Sequence, residues 1–219
     1  MTASLANTAL PVVETFHSLQ GEGVHLGRSA FFIRLGGCTV GCSWCDTKHS
    51  WPLAHHASRS PAALAAEAQS AAAAGAAFVV NTGGEPLHHD LEPLCTELNK
   101  LRSSDGRALP LHLETSGVDP LSGRFDWITL SPKPHRPPRA QALQSCNELK
   151  VIVNEASDLA FAESMASAAA KGRGNQDAAV LLLQPAWQNA SGLQLALEYV
   201  RTHPSWRLSL QTHKWLQIR

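Results

Sequence analysis

Short apolar runs rich in β-branched residues alternate with longer Ala- and Leu-rich stretches along this chain. AFFIRLGG at 30–37 predicts a strand, and PAALAAEAQSAAAAG at 61–75 predicts a helix. Ser60 is placed to cap that helix, Pro61 to sit in its first turn and Gly75 to stop it. AFVVNTGG (77–84) is the next strand and LEPLCTELNKLRSSDG (91–106) the next helix. Further strands are predicted in LPLHLETSG (109–117), FDWITLSPK (125–133), NELKVIVNE (147–155), AVLLLQPAW (179–187) and RLSLQTHK (207–214). Amphipathic helices are predicted in SDLAFAESMASAAAKG (157–172) and SGLQLALEYVRTHP (191–204), whereas the proline-rich SPKPHRPPRA (131–140) reads as a loop.

Strand alternating with helix means βαβ units and a parallel sheet. The strand runs are nearly continuously apolar, which predicts cover on both faces. About six units of this kind fall short of the eight of a closed barrel. The expected fold is therefore α/β, a partial, open (β/α) barrel, with no internal repeat and no dividing linker. The polar residues that end each run should meet on one face, because parallel strands present their C-terminal ends together. That argument brings Cys38, Gly84, Glu114, Ser131, Gln184 and His213 to one site from distant parts of the chain.

Composition narrows the functional classes. Of 219 residues 44% are hydrophobic and only 16% charged, so disorder is excluded. Lys plus Arg and Asp plus Glu both total 18, which argues against a nucleic-acid or membrane-surface partner. The N-terminal stretch lacks the form of a secretory signal, and no apolar run reaches the ~20 residues of a spanning helix. A cytoplasmic protein is expected. The five cysteines are an odd number with three of them bunched, which suits a metal site better than a disulfide framework.

Those three are Cys38, Cys42 and Cys45, spaced C-x3-C-x2-C. One reading is zinc, with Cys42 and Cys45 as one hook and Cys38 plus His49 or His55 completing four ligands. The other is a four-iron, four-sulfide cluster held by three thiolates. Such clusters normally take four. The missing ligand leaves one iron open to a cofactor, as catalytic zinc sites stay open to substrate. S-adenosylmethionine, bound there and given an electron, is a source of radical chemistry that side chains cannot supply. Cys95 reads as a small buried hydrophobe, and Cys146 carries no role.

The motif, with Trp44 just before the last cysteine, resembles the signature of radical S-adenosylmethionine enzymes, and TGGEP (82–86) resembles their second signature. Within that superfamily, FHSLQGEGVHLGRSAFFIRLGGC, CDT, LETSG, SPK, ELKVIV, LQP and QTHK resemble the 7-carboxy-7-deazaguanine synthase family over nearly the whole chain from Val13. The resemblance implies one radical S-adenosylmethionine domain over 1–219, its site completed by segments 12–29 and 207–219. It implies conversion of 6-carboxy-5,6,7,8-tetrahydropterin to 7-carboxy-7-deazaguanine with loss of ammonia, toward queuosine and related 7-deazapurines. It also implies a 4Fe-4S cluster on Cys38, Cys42 and Cys45, S-adenosylmethionine, Mg2+ on Thr47, a flavodoxin-like electron donor and a homodimer.

By the same resemblance S-adenosylmethionine meets Trp44, Cys45, Asp46, Gly84, Glu85, Ser131, Pro132, Lys133, Gln184, Pro185, Ala186 and Trp187. Substrate meets Leu19, Gln20, Gly21, Glu22, Arg34, Thr82, Glu114, His213 and Arg219. Arg34 has the planar fork that suits a carboxylate, and the glycines of LQGEG allow close backbone approach. The plainer readings make Thr47 a turn cap, His213 an ordinary strand residue, and Trp51 and Trp187 core or lid. Lys150, most of KPHRPPR, His88 and His89 read as surface residues, and 49–60 carries no assignable feature. Rival functions are a radical activase that installs a glycyl radical on a partner, and a non-catalytic zinc- or cluster-stabilised binding module.

Overall fold

The computed structural model describes residues 9–171 and 177–219. Residues 1–8 and Gly172, which belong to the N-terminal and helix readings above, lie outside them. The strands are β1 (Leu10–Leu19), β2 (Ser29–Leu35), β3 (Ala57–Arg59), β4 (Val79–Gly83), β5 (Leu111–Thr115), β6 (Trp127–Leu130), β7 (Glu148–Val153), β8 (Val180–Pro185) and β9 (Trp206–Leu208). The helices are α1 (Pro61–Ala73), α2 (Glu92–Leu98), α3 (Ala140–Ser145), α4 (Ser157–Ala170), α5 (Ala190–Thr202) and α6 (Thr212–Leu216). One sheet runs in the order β3-β1-β2-β4-β5-β6-β7-β8-β9. It is parallel from β2 onward, with β1 antiparallel to both β2 and β3. This is the expected open α/β sheet. No helix among the described residues is long and apolar enough to cross a membrane.

The strands are not covered alike on both faces, contrary to the apolar-run reading. Side chains alternate across a strand, and the paired registers put Ile33, Leu113, Leu130, Leu149, Val151 and Leu183 on one side. There they join the helices through Leu64, Ala68, Leu94, Leu98, Ala142, Ala162 and Ala196 in one core. The other face changes character along the strand. Ala30, Phe32, Phe78 and Val80 form a small apolar cluster with Phe16 near its base. Polar Arg34, Thr82, Glu114, Thr129, Lys150 and Gln184 follow toward the C-terminal ends.

Local chemistry explains most boundaries. Ser60 Oγ accepts from Ala63 N (3.2 Å), Pro61 opens α1, and Gly75 leaves it with φ +104°. Asn189 caps α5 by accepting from Gly192 N (2.9 Å). Helix α2 ends at Leu98, short of the predicted 106. Ser103, Asp105 and Gly106 (φ +79°) form a turn instead, with Ser103 Oγ donating to Asp105. The 207–214 strand ends at Leu208, because Ser209 Oγ turns to Gln184 Oε1 (2.7 Å) and Thr212 N donates to Gly21 O (3.0 Å). His213 is thus on a helix, not a strand. Strands β1 and β3 were not predicted, and the connection from β5 to β6 carries no helix.

Candidate active site

A cavity of about 690 Å³ opens at the C-terminal ends of the strands. Every predicted site residue lines it except Pro132 and Pro185, which sit buried in the β6 and β8 exits.

The cysteine loop leaves β2 through Gly37 (φ +94°) and is pinned to the 48–51 turn by Gly37 N to Ser50 O (2.8 Å) and Cys38 N to Trp51 O (3.1 Å). Thr47 precedes that turn without capping it, and its hydroxyl lies 3.6 Å from Cys45 Sγ. Within the loop, Thr39 N donates to His88 Nε2 (3.1 Å). Nε2 is therefore the acceptor, and Nδ1 carries the proton that His88 shares with Asp119. Arg136 donates to Thr39 O (2.6 Å) and His135 to Val40 O (3.1 Å), while Trp44 meets the His135 ring edge-on at 5.6 Å. His89 Nε2 bonds Gly36 O (2.8 Å). His88 and His89, half-buried, thus hold the cysteine loop, and His135 and Arg136 bond it from a basic loop that is otherwise largely exposed. Only their tertiary neighbours reveal this.

The exit of β4 packs directly on that loop. Gly84 N bonds Leu35 O (2.9 Å) and Glu85 N bonds Gly37 O (3.0 Å). A Cβ on Gly84 would lie 2.8 Å from the Gly37 carbonyl carbon and 3.0 Å from Cys38 Cβ, so only glycine fits. The buried Glu85 carboxylate accepts from Leu87 N (3.1 Å), Thr115 Oγ1 (2.5 Å) and both Ser116 N (2.8 Å) and Ser116 Oγ. Four donors use its lone pairs, so Glu85 organises the loop with its side chain and can offer a ligand only backbone. Burial pushes the Cys38 and Cys42 thiols above their ordinary range. Burial likewise lowers Lys133, whose Nζ donates to Ser131 Oγ (2.8 Å).

A charged network also lines the cavity. Lys150, expected in solvent, is buried and ion-paired with Glu22. Burial opposes both charges. Lys150 and the hydrogen bonds around Glu22 nevertheless hold that carboxyl at about 2, and Glu22, Glu114 and Glu148 hold the ammonium well above its usual range. Burial pushes Glu148 up, and its Oε2 accepts from Val24 N (2.9 Å). Glu114 accepts from Gln20 Nε2 (2.9 Å) and Thr82 Oγ1 (2.8 Å). Arg34 Nε donates to Glu14 Oε1 (2.9 Å), and Arg219 reaches the other Glu14 oxygen (2.7 Å). The C-terminal arginine is thereby placed at the rim, with Ser18 Oγ donating to its carbonyl (2.5 Å). From α6 and the residue before it, Lys214 pairs with Asp46, and Gln211 bonds both Glu22 and Asp46. Trp187 and Trp215 meet edge-on (5.5 Å) beside them.

Comparison with known proteins bears on this arrangement. Residues 32–133 match the Radical SAM superfamily. The chain is 51% identical to the 7-carboxy-7-deazaguanine synthase of Prochlorococcus marinus, covering 97% of this chain and 99% of that protein. It is 48% identical to that of Synechocystis sp., covering 99% and 97%, and 34% identical to that of Escherichia coli, covering 95% and 98%. The chain belongs to the 7-carboxy-7-deazaguanine synthase family. The crystal structure of QueE from Escherichia coli superposes with a TM-score of 0.77 at 32% identity, covering 96% of this chain and 99% of that one. Family membership sets the activase reading aside, and it implies a 4Fe-4S cluster and S-adenosylmethionine.

The residues fit such a cluster. Cys38, Cys42 and Cys45 are free thiols on one cavity wall. They stand close together, since Cys38 feels the charge of Cys45 and Cys42 feels the charges of both others. Sequence reasoning missed Lys150, Gln211, Lys214 and Glu14. Lys150 had a signal: Glu148 and Lys150 in ELKVIV share the strand face that carries Glu114. The other three are placed by segments that meet only in the fold.

Proposed function

We propose that this chain converts 6-carboxy-5,6,7,8-tetrahydropterin to 7-carboxy-7-deazaguanine with loss of ammonia, a step toward queuosine and related 7-deazapurines. The observation that carries this reading is that one cavity joins the three thiols to a wall of paired ions suited to a flat, carboxylated, hydrogen-bonding ring. When bound, the cluster and S-adenosylmethionine supply the one-electron chemistry that removes a hydrogen atom from the substrate.

The chain's own residues bind and orient. Cys38, Cys42 and Cys45 would hold the cluster, and three thiolates would leave it open to S-adenosylmethionine. Backbone at Gly84 and Glu85, the Ser131 and Lys133 side chains, Gln184, Ala186, Trp187, Trp44 and Asp46 surround S-adenosylmethionine, with Pro132 and Pro185 shaping the strand exits. Arg34 takes the pterin carboxylate. Its Nε is fixed by Glu14, which leaves the guanidinium's terminal amino groups for that task. Glu114, oriented by Gln20 and Thr82, accepts from the pterin's ring edge. Leu19, Gly21, Glu22, His213 and Arg219 close the substrate side. Thr47 would offer its hydroxyl to magnesium, an ion that keeps most of its shell as water. By resemblance the enzyme is a cytoplasmic homodimer reduced by a flavodoxin-like protein.

The test is turnover by anaerobically reconstituted protein supplied with reductant, S-adenosylmethionine, magnesium and the carboxytetrahydropterin. Carboxydeazaguanine is expected, and Cys38→Ala should remove both the brown cluster absorbance and the product. Release of 5′-deoxyadenosine without any deazapurine would overturn the reading.

A further inference from the structure

Gln211 stands where the two halves of the site meet. Its Nε2 donates to Glu22 Oε1 (3.0 Å) and to Asp46 Oδ2 (3.1 Å). Its Oε1 accepts from Lys214 Nζ (3.0 Å), and the same ammonium pairs with Asp46. Glu22 is in turn held by Lys150 on β7. The amide has only one workable orientation. Its two N–H groups must face two carboxylates and its oxygen an ammonium, so a flip sets like partners against each other on both sides. The segment is anchored from below by Thr212, whose N and Oγ1 both donate to Gly21 O (3.0 and 2.9 Å). From above, Lys214 lies 5.2 Å over the Trp187 ring.

We infer that Gln211 is a positioning residue that couples occupancy of the cofactor site to occupancy of the substrate site. The inference rests on the reading above, in which Asp46 faces S-adenosylmethionine and Glu22 faces the pterin. Either ligand, in bonding the carboxylate it meets, fixes how that carboxylate shares the Gln211 amide. One amide holds both carboxylates, so the ligand that arrives first has already ordered the partner of the second. Ordering shared between two sites is positive cooperativity, and it must act equally in both directions.

The experiment is equilibrium dialysis of S-adenosylmethionine against reconstituted protein without reductant, so that nothing turns over, with and without saturating carboxytetrahydropterin. In the unaltered protein the pterin should tighten S-adenosylmethionine binding on the order of tenfold, with the same factor when the ligands are exchanged. Gln211→Met, equal in length but unable to bond either carboxylate, should bring the factor to about one while both ligands still bind. Lys214→Met, which frees the amide oxygen but leaves Glu22 alone, should give a factor between the two and serves if the first variant does not fold. A merely structural role would weaken both ligands and leave the factor unchanged, and that result overturns the inference. So does a factor of about one in unaltered protein that makes carboxydeazaguanine, since turnover then supports the function and denies the coupling. Protein that binds no pterin and makes no deazapurine fails the functional reading, and the coupling falls with it.

Discussion

Single residues in this cavity are held by charge more than by shape. Lys150 is the clearest case, since its side chain is only 7% exposed and its ammonium faces Glu22, with Glu114 and Glu148 also near enough to raise its pKa. Removing one member of a buried pair leaves the other charge without compensation, at a cost of about 3–5 kcal/mol. Lys150→Met should therefore destabilise by about that amount, and the double variant Lys150→Met with Glu22→Gln by clearly less. Denaturant unfolding of the unaltered protein, both single variants and the double variant checks this, and equal losses in Lys150→Met and the double variant would remove the pair from the account. Side chains that end strands were legible as site candidates, because a parallel sheet gathers its C-terminal ends. Residues such as Glu14, Gln211 and His88 were not, since each acts through a partner remote in sequence.

Elements carry the next level of constraint. The exit of β4 and the exit of β2 touch backbone to backbone at Gly84 and Gly37, with Gly83 at φ +136° beside Leu35. Gly84→Ala should cost about 1–3 kcal/mol, because the added methyl meets backbone that cannot step aside. Iron bound per chain after reconstitution should fall with it, and an alanine variant of unchanged melting temperature and iron content would refute the close packing. The helix starts were readable from Ser60 and Pro61, since capping is local chemistry. Strand β1 was not, although LPVVETFHSL alternates well enough. Its identity depends on pairing with β2 and β3, and a bulge between Val12 and Glu14 breaks the period. Helix α6 was hidden for a similar reason, because its start is fixed by a bond to Gly21.

At the scale of the whole molecule, the base of the inner sheet face contributes to the response to acid. His112 stacks on Phe78 (4.2 Å) and lies 4.6 Å from His25, which touches Trp127 and Arg28. Burial, followed by the charges of His25 and Arg28, lowers His112 from its ordinary 6.5 to about 3. The unfolded chain binds this proton below pH 6.5 and the folded chain only near pH 3. Stability is therefore intact above that window and declines as pH falls through it, by at most about 1.4 kcal/mol per unit. Melting temperatures of His112→Phe should fall less steeply between about pH 6 and 4 than those of the unaltered protein. An identical acid limb would assign that limb to other groups.

The parallel strands from β2 onward with most of the helices between them, the open α/β sheet and the thiol motif follow from the sequence alone, apart from β1, β3 and α6. Each depends on local periodicity, capping or spacing, which a linear chain carries in full. The polar network beside the thiols is a product of tertiary structure. Lys150, Glu22, Gln211 and Asp46 come from β7, the turn after β1, the approach to α6 and the cysteine loop. Whether each is solvated or paired is decided by the desolvation it suffers and the opposite charge it meets. Both quantities exist only once the sheet has brought those segments together.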